Sequence, residues 1–454
     1  MDTAATGSNS SAHTLAAYAT SLKYEQIPAE VVTRAKACII DTFAVTSFGA
    51  SLPWSRIVSE YARRNSAPGK ASVLGTALKV RAPFAALANG AAGHAFEMDS
   101  LSMPGVGVHT GTSMLAPGLA VAQARGASGK ELITAFVAGA EIMYRIGDAS
   151  RHSPEKIGFH APGLTGVFGG AIAAGLLMKL DTARLAYALG VGGSLCSGLL
   201  EFSKSGGMVK RLHLGRAAEG GVMAAALARE GFTGPAQVFE GKFGLFKTFC
   251  NEVDMPRLTA GLGTTWHTMK TMMKRYPCHI TAHVPVTAVL ELKAAHGLKG
   301  DDIAEITVAG SEKMVSHHNI TEPQDISMAQ YSTPFCVALA FYRDPLDPKQ
   351  FSDASLADEK IRALCRKVRV EADNELVREN QFAARLTVKL NNGKVITHEV
   401  EVFPGMPRRP LTEAELREKY DRVVTGIAPA TAARLFEQFS ALETVRNLGE
   451  LEFA

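Results

Sequence analysis

The sequence predicts a mainly α-helical protein that also contains an α+β part. Apolar residues recur at helical spacing through most of the first 265 residues, and strand-like alternation is concentrated between residues 303 and 402. A chain of 454 residues is also too long for a single hydrophobic core. We therefore expect a large all-helical domain and a smaller α+β domain.

Composition narrows the class of partner. Apolar residues make up 46% of the chain and charged residues 20%, and the net charge of +4 comes without any block of like charge. This is typical of a compact globular protein and disfavours nucleic acid, whereas an acidic small molecule needs only a local basic pocket. The six cysteines are scattered without a Cys-x-x-Cys, so we expect reduced thiols, no structural zinc and no disulfide framework.

The expected location is the cytoplasm. The first residues are polar and lack the basic start and apolar core of a secretory signal. The apolar runs are broken by charges or glycine well short of about 20 residues, so we expect no membrane contact.

The N-terminal part begins with a polar stretch, residues 1–11, that we expect to be a disordered tail. Helical spacing follows in three segments, at residues 15–22, 28–48 and 54–64. In the second of them Pro28 suits the first helical turn. A short β-like piece is expected at residues 71–74.

Alanine and glycine dominate from residue 83 to about residue 245. The runs lie at residues 85–94, 114–124, 132–147, 165–177, 183–200 and 217–229. Small residues let helices approach closely, and helices that are apolar around most of their circumference must be buried. We expect a helical bundle whose central helices see little water.

The α+β part is expected at residues 266–403. Strand-like segments end in the turn signal Asn391-Asn392-Gly393-Lys394, after which a returning strand completes a hairpin. Helices after Pro410 return the chain to the helical domain, which thus comprises residues 12–265 and 404–454. Because the chain leaves a domain and rejoins it, we expect the inserted part to be a hinged lid.

Two carboxylates and a histidine form the first candidate site. Glu97 and Asp99 are expected to end an apolar helix, and a loop rich in proline and glycine then leads to His109. A carboxylate pair beside a histidine can tune general acid–base groups. An exposed helix end with a loop histidine would give the same pattern, and the spacing does not separate the two.

Two further candidates lie beside apolar helices. His160 precedes a predicted helix N-terminus, where backbone N–H groups favour anions. The alternative is a structural histidine whose hydrogen bonds are all made within a turn. Lys210 follows Gly206-Gly207 and enters an apolar run, where a lysine requires a negative partner. The neighbouring His213 contacts substrate or supports the loop.

The last candidate stretch opens the predicted insert. Lys274, Arg275 and His279 lie within a few residues and could clamp carboxylates. His279 and His283 have the spacing of a helical zinc pair, but the glutamate of a zinc-protease motif is missing, so we expect no metal. His317-His318 has no acidic or cysteine partner nearby, and we interpret it as a solvated loop. The sequence also lacks a dinucleotide fingerprint, a P-loop and a nucleophile elbow.

In this order, these segments resemble the MmgE/PrpD family from about residue 15 to the C-terminus. The resemblance is carried by six motifs: Asn89-Gly90 with His94-Ala-Phe-Glu-Met-Asp99, His109, Gly158-Phe-His160, Lys210-Arg-Leu-His213-Leu-Gly215, Lys274-Arg-Tyr-Pro-Cys-His279 and Ala329-Gln-Tyr-Ser332. Family members often show Asp-Phe-Asp-Asp where this chain has Glu97-Met98-Asp99-Ser100.

The resemblance implies a cofactor-independent and metal-independent homodimeric lyase that acts on small di- and tricarboxylic acids between its two domains. Carried over residue by residue, it implies Asp99, His109, His160, Lys210 and His279 as catalytic residues. It adds Lys274 as a carboxylate contact, and we place Glu97, Arg275 and His213 beside the substrate as well.

The expected reaction is dehydration of a 2-methylcitrate-like hydroxy acid, by proton abstraction next to a carboxylate. The alternatives are decarboxylation of a cis-aconitate-like acid and epimerisation of an amino-dicarboxylate such as iminodisuccinate. All three build charge on a carbon next to a carboxylate and need cations together with a tuned acid or base. A helical scaffold protein with a relict pocket is the non-enzyme alternative.

Overall fold

The computed structural model describes residues 10–103 and 107–453, and over these residues the protein is mainly α-helical with an α+β part, as predicted. The chain divides into two compact units. We call Met1–Ala95, Asp99–Met272 and Val423–Ala454 the helical unit, and Phe96–Met98 and Met273–Arg422 the mixed unit. The domain boundaries expected from the sequence, and the lid, stay predictions, because compact packing does not show that a part folds or moves by itself.

The helical unit begins with α1 (Ser11–Ser21). Residues 1–9 of the predicted tail lie outside the described residues, whereas Ser10 caps α1 through its side chain and Ser11 begins it. The next helices, in chain order, are α2 (Ala29–Ala50), α3 (Pro53–Asn65), α4 (Ala82–Gly93), α5 (Thr110–Arg125), α6 (Gly129–Ala149), α7 (Ser153–Lys156), α8 (Ala161–Leu177), α9 (Thr182–Gly192), α10 (Phe202–Ser205), α11 (Val209–Arg229) and α12 (Leu245–Phe249). The strands here are short and antiparallel: β1 (Pro68–Ser72) pairs with β2 (Lys79–Val80), and β3 (Leu101–Ser102) with β4 (Thr271–Met272).

The centre of the helical unit is made of helices with small side chains. α8 packs against α11, α6 and α5, and α4 packs against α11 and α5. The approach of α8 to α11 is close enough that a Cβ atom on Gly221 would lie 2.6 Å from the carbonyl carbon of Gly170. This burial of the alanine- and glycine-rich helices is what the sequence predicted.

The mixed unit contains a four-stranded sheet in the order β6-β5-β7-β8. Its strands are β5 (Ile303–Gly310), β6 (Val368–Ala372), β7 (Ala384–Leu390) and β8 (Val395–Val400). β5 pairs with β6 in parallel and with β7 antiparallel, and the predicted β7–β8 hairpin is confirmed, with Gly393 at positive φ in its turn. The helices that follow β4 in chain order are α13 (His283–His296), α14 (Glu312–His318), α15 (Ile326–Tyr331), α16 (Thr333–Tyr342), α17 (Asp353–Ala357), α18 (Glu359–Arg366) and α19 (Glu413–Val423). Of these, α13, α14, α16 and α18 pack against strands of the sheet.

The chain ends in the helical unit with α20 (Pro429–Ser440), which packs against α2. None of the helices among the described residues combines the length and the apolar character that crossing a bilayer requires.

Candidate active site

The loop between α4 and α5 carries the first candidate residues, but not as the sequence suggested. α4 ends at Gly93, so Glu97 and Asp99 lie beyond the helix rather than at its end. Glu97 adopts a left-handed backbone conformation, with φ of 55°. The two carboxylates do not act as a pair, because Asp99 contacts residues of the helical unit and Glu97 contacts residues of the mixed unit.

Asp99 holds two histidines at once. Its Oδ2 lies 2.8 Å from Nδ1 of His94 and 2.7 Å from Nδ1 of His109, and Asp99 is only 1% exposed. Burial alone would raise the pKa of Asp99, but the two imidazoles outweigh it and hold the pKa well below its usual range. An ionised carboxylate can only accept hydrogen bonds, so both rings donate from Nδ1. In the neutral state, Nε2 of His109 is therefore a bare base.

The same three residues have the composition of a metal site, with ligand atoms within 4.8 Å of one another. Two ligands on a tetrahedral zinc ion, each about 2.0–2.2 Å from it, would be about 3.3 Å apart. Asp99 is closer than that to both imidazole nitrogens. We therefore interpret the group as a hydrogen-bonded triad, and the absence of a metal from the reaction stays a prediction.

His109 is fixed by the start of α5, of which it is the N-cap residue. Ser102 donates its N–H to the carbonyl of Val108 at 2.9 Å, which closes the loop in front of the histidine. Ser100, where family members often carry an aspartate, accepts the N–H of Gly111 at 3.0 Å. A neutral hydroxyl thus satisfies an unpaired N–H of the first helical turn.

His160 is the N-cap residue of α8, as the sequence predicted. Its Nδ1 lies 3.0 Å from Nδ1 of His213, and both side chains are buried. Burial lowers the pKa of both rings, and for His160 the nearby His94 and Lys210 lower it further. His213 is thus brought to another imidazole, while the substrate contact expected for it stays a prediction.

Lys210 lies in the first turn of α11 and is only 8% exposed, in the apolar surroundings that the sequence indicated. The ring of His94 lies 4.7 Å from that of His109 and 5.8 Å from that of His160. The N-termini of α5 and α8 and the first turns of α11 therefore meet at one histidine cluster. Helix N-termini and a buried lysine favour an anion. Burial, with Lys210 nearby, also lowers the pKa of His94 to about 4 and keeps it neutral.

In the mixed unit, the cation predicted at Lys274 is already paired. Its Nζ donates to Oε2 of Glu97 at 2.8 Å, and the hydroxyl of Tyr331 donates to Oε1 of the same carboxylate at 3.3 Å. Arg275 donates to the carbonyl of Glu415 at 2.9 Å and pairs with the carboxylate of Glu418. Its guanidinium is used within the unit, so this geometry does not favour the predicted substrate contact of Arg275.

His279 stacks on His318 with ring centroids 4.0 Å apart. The expectation that His318 lies in a solvated loop is wrong: it is 3% exposed, and its Nδ1 donates to the carbonyl of Tyr331 at 3.0 Å. Nδ1 of His279 accepts the N–H of Thr281 at 3.4 Å and lies 2.9 Å from the hydroxyl of Thr281, which can donate to it as well. With Nδ1 as the acceptor, the neutral ring carries its proton on Nε2. Burial, followed by His318, holds the pKa of His279 well below its usual range.

The zinc-like spacing of His279 and His283 has a structural explanation. His279 precedes the 3-10 turn Ile280–Ala282, while His283 begins α13, so the two do not share a helix face. Nε2 of His283 accepts the N–H of Tyr276 at 3.3 Å. His283 is completely buried and packs in the core.

Sequence reasoning assigned no role to three residues of these clusters. His94 and Tyr331 lay inside the motifs of the family resemblance, which could have singled them out. A histidine at the end of an alanine- and glycine-rich helix, as His94 is, requires a polar partner when buried. His318 gave no such local signal.

Two family models match the chain. The MmgE/PrpD N-terminal domain matches residues 13–257, and the MmgE/PrpD C-terminal domain matches residues 276–443. A cis-aconitate decarboxylase of Aspergillus terreus is 29% identical, over 92% of this chain and 90% of the relative. A cis-aconitate decarboxylase-like protein of Aspergillus oryzae is 26% identical, over 96% and 95%. The human cis-aconitate decarboxylase is 25% identical, over 95% and 90%.

The first of these models alone covers more than half of the chain, and the relatives extend over nearly all of it. The resemblance inferred from the motifs is thereby confirmed, and a lyase explains the histidine cluster better than a scaffold with a relict pocket does. The chain belongs to the MmgE/PrpD family and is a lyase.

Proposed function

We propose that this lyase decarboxylates a cis-aconitate-like tricarboxylic acid. The sequence put dehydration of a 2-methylcitrate-like acid first and decarboxylation second. The relatives support the opposite order, because those from two fungi and from humans carry decarboxylase names over 90% or more of this chain. Dehydration stays the second candidate.

The observation that carries the proposal is the hydrogen bond of 2.7 Å between Asp99 Oδ2 and His109 Nδ1. A buried carboxylate on Nδ1 leaves Nε2 as the reactive atom and stabilises the ring when it is protonated. Lys210 lies close enough to depress the pKa of both His94 and His160. One cluster therefore combines a proton-transfer group with a cation for a carboxylate.

The chemistry follows from these charges. When the bond between a carboxylate and its carbon breaks, CO₂ leaves and the electron pair stays on the carbon, from which it spreads toward a neighbouring carboxylate. Lys210 and the surrounding helix N-termini stabilise that growing negative charge. His109 or His160 then delivers a proton to the carbon, and the proton is replaced from water. Each such acid–base group contributes about 10²- to 10⁴-fold in rate.

The mixed unit supplies a second pair of groups to the proposal. Lys274 holds the Glu97 carboxylate at 2.8 Å, which is the interaction that a substrate carboxylate would make in its place. His279, with its proton on Nε2, is a neutral hydrogen-bond donor to a carboxylate. We assign carboxylate binding to Lys274 and a supporting acid role to His279.

One observation favours dehydration as the second candidate. The bare Nε2 of neutral His109 is suited to abstract a proton next to a carboxylate, which is the first step of a hydro-lyase reaction. Epimerisation of an amino-dicarboxylate begins with the same step, but no relative reported above carries such a name.

A panel of acids separates the three reactions. The purified protein is incubated with cis-aconitate, 2-methylcitrate and iminodisuccinate, and we expect CO₂ release from the first. Growth of an unsaturated-acid absorbance would identify a dehydratase instead, and deuterium uptake without net change an epimerase. Absence of CO₂ from every tricarboxylate would contradict the proposal.

The site assignment is tested separately with His109→Gln and His160→Gln. We expect at least one variant to lose about 10²-fold or more in kcat with its fold intact by circular dichroism. Near-normal turnover of both variants would contradict the roles given to these histidines.

The remaining expectations extend the proposal to the assembly. The family resemblance supports a homodimer that works without an organic cofactor. Sedimentation equilibrium of the full chain checks the dimer, and turnover after exhaustive dialysis against a chelator checks the second point. The cytoplasmic location stays a prediction of the sequence.

A further inference from the structure

The contact between His160 and His213 joins the same atom of two imidazoles. Their Nδ1 atoms lie 3.0 Å apart, and both side chains are buried. A neutral imidazole carries one proton, on either Nδ1 or Nε2. A hydrogen bond between two Nδ1 atoms holds one proton, so one neutral ring has N–H at Nε2 while the other has a bare Nε2.

This pairing limits how His160 can deliver a proton. Burial, His94 and Lys210 all lower its pKa, so an imidazolium at this position is unfavourable. A neutral ring that simply lost its Nε2 proton would become an imidazolate anion, and burial disfavours that charge. His160 can therefore act as an acid only if its Nδ1 receives a proton as its Nε2 gives one up.

Gly198 and Phe202 pack closely against the His160–His213 pair. Gly198 has φ of 140°, and a Cβ atom there would lie 3.2 Å from Nδ1 of His213 and 3.5 Å from Cβ of His160. The carbonyl of Gly198 accepts the N–H of His160 at 2.8 Å. The ring of Phe202 packs edge-on against both imidazoles, at 5.1 and 5.8 Å. Ser197 and Leu199, on either side of Gly198, are exposed, so water reaches the loop that covers the pair.

We propose that His213 is a proton relay that feeds His160. In the loaded state, Nδ1–H of His213 donates to bare Nδ1 of His160, whose proton lies on Nε2. The Nε2 proton of His160 goes to the substrate carbon, the Nδ1 proton of His213 moves to Nδ1 of His160, and a proton from water binds Nε2 of His213. Both rings end neutral, and the balance is one proton moved from solvent to carbon.

The pair resets by the reverse passage after the product leaves. Water entering the vacated site protonates Nε2 of His160, the Nδ1 proton returns to His213, and the Nε2 proton of His213 leaves to solvent. This relay rests on the proposed function, because it requires a reaction that protonates carbon.

Two variants of the same residue test the relay. His213→Asn keeps a side-chain amide that can hydrogen-bond to Nδ1 of His160 but cannot pass a proton through itself. His213→Ala leaves a space that free imidazole can fill. We expect both to lose about 10²-fold in kcat with KM changed less than about threefold. Imidazole should restore His213→Ala, whereas pyrazole, of similar shape but far weaker basicity, should not.

Isotope measurements follow the protons directly. In mixtures of H₂O and D₂O the rate of the unaltered protein should curve with deuterium content, because more than one proton is in flight, and that of His213→Asn should be linear. His296→Ala, which removes an exposed histidine of the mixed unit, is the matched control and should behave as the unaltered protein. Full activity of His213→Asn, or loss in His213→Ala without rescue by imidazole, would overturn the relay.

Nitrogen NMR of the resting protein separates this proposal from the proposed function. With ¹⁵N-labelled histidine, one proton across the two Nδ1 atoms is expected without substrate, and two bare or two protonated Nδ1 atoms would refute the relay. If the shared proton is found but no acid releases CO₂, the proposed function fails while the pairing of the two imidazoles stands.

Discussion

Replacing Asp99 by asparagine tests the core of the site. The carboxylate accepts from His109 at 2.7 Å and from His94 at 2.8 Å while almost completely buried. An asparagine oxygen can accept both hydrogen bonds in place of Oδ2, so the arrangement of neutral rings is retained. What Asp99→Asn removes is the negative charge that stabilises His109 when it holds an additional proton.

The magnitude follows from that geometry. At this hydrogen-bond distance the centres of charge of the carboxylate and an imidazolium are about 4 Å apart, and at an effective dielectric constant of about 20 their attraction is about 4 kcal/mol. Each 1.36 kcal/mol is about tenfold in rate, so the loss is about 10³-fold in kcat for a step that needs protonated His109.

The assay is initial CO₂ release from cis-aconitate, with urea unfolding to confirm that the variant is folded. Asp148→Asn is the matched control, because it removes a half-buried carboxylate of the same unit that pairs with Arg257 instead. The control should keep its kcat. An Asp99→Asn variant within tenfold of the unaltered kcat would refute the reasoning.

Three further changes have defined outcomes. Glu141→Ala removes a buried carboxylate that accepts from a guanidinium, two backbone N–H groups and a hydroxyl. It should lower the free energy of unfolding by about 3–5 kcal/mol in urea titrations. Glu60→Ala is the control and should lower it by less than about 1 kcal/mol, because that half-exposed carboxylate pairs only with solvated arginines. Burial lowers the pKa of His318 to about 4, so as the pH falls the unfolded chain binds a proton at this residue before the folded protein does. The free energy of unfolding should therefore fall, by up to about 3 kcal/mol from this residue, as the pH drops from 6.5 to 4. His318→Gln should flatten that pH dependence, and an unchanged slope would contradict the prediction. Glu97→Gln should lower KM about fivefold, equal to about 1 kcal/mol, because a neutral amide competes less than a carboxylate with the substrate for Lys274. A higher KM would show instead that Glu97 positions the lysine.

Local signals were read correctly from the sequence. The turn at Asn391–Lys394 specified a hairpin because glycine at positive φ fits a tight connection. His160 was placed before a helix because an apolar run follows it, and it is the N-cap residue of α8. Lys210 was expected to be buried because its flanks are apolar, and it is buried. In each case, residues adjacent in sequence carry the physical cause.

Contacts between distant segments were not readable in the same way. His318 resembled a solvated loop residue because nothing near it in sequence shows that His279 stacks on it. Arg275 looked available to substrate because its partner, Glu418, comes far later in the chain. Glu97 and Asp99 looked like a pair because they are two residues apart, yet an irregular loop with a left-handed residue sends them to different partners. Spacing in sequence fixes direction only inside regular elements.

The neighbour of Nδ1 explains why histidines of similar burial differ in chemistry. Ionised Asp99 can only accept, so neutral His109 keeps its proton on Nδ1 and is a base at Nε2. In the mixed unit a backbone N–H of Thr281 can only donate, so neutral His279 keeps its proton on Nε2 and is a donor there. Nδ1 of His213 can either donate or accept. Of His109, His279 and His160, therefore, only His160 can switch between its two neutral tautomers. A ring that stays neutral while a proton passes from water to carbon must be able to switch in this way, and this is the physical reason to look for the relay at His160 rather than at His109.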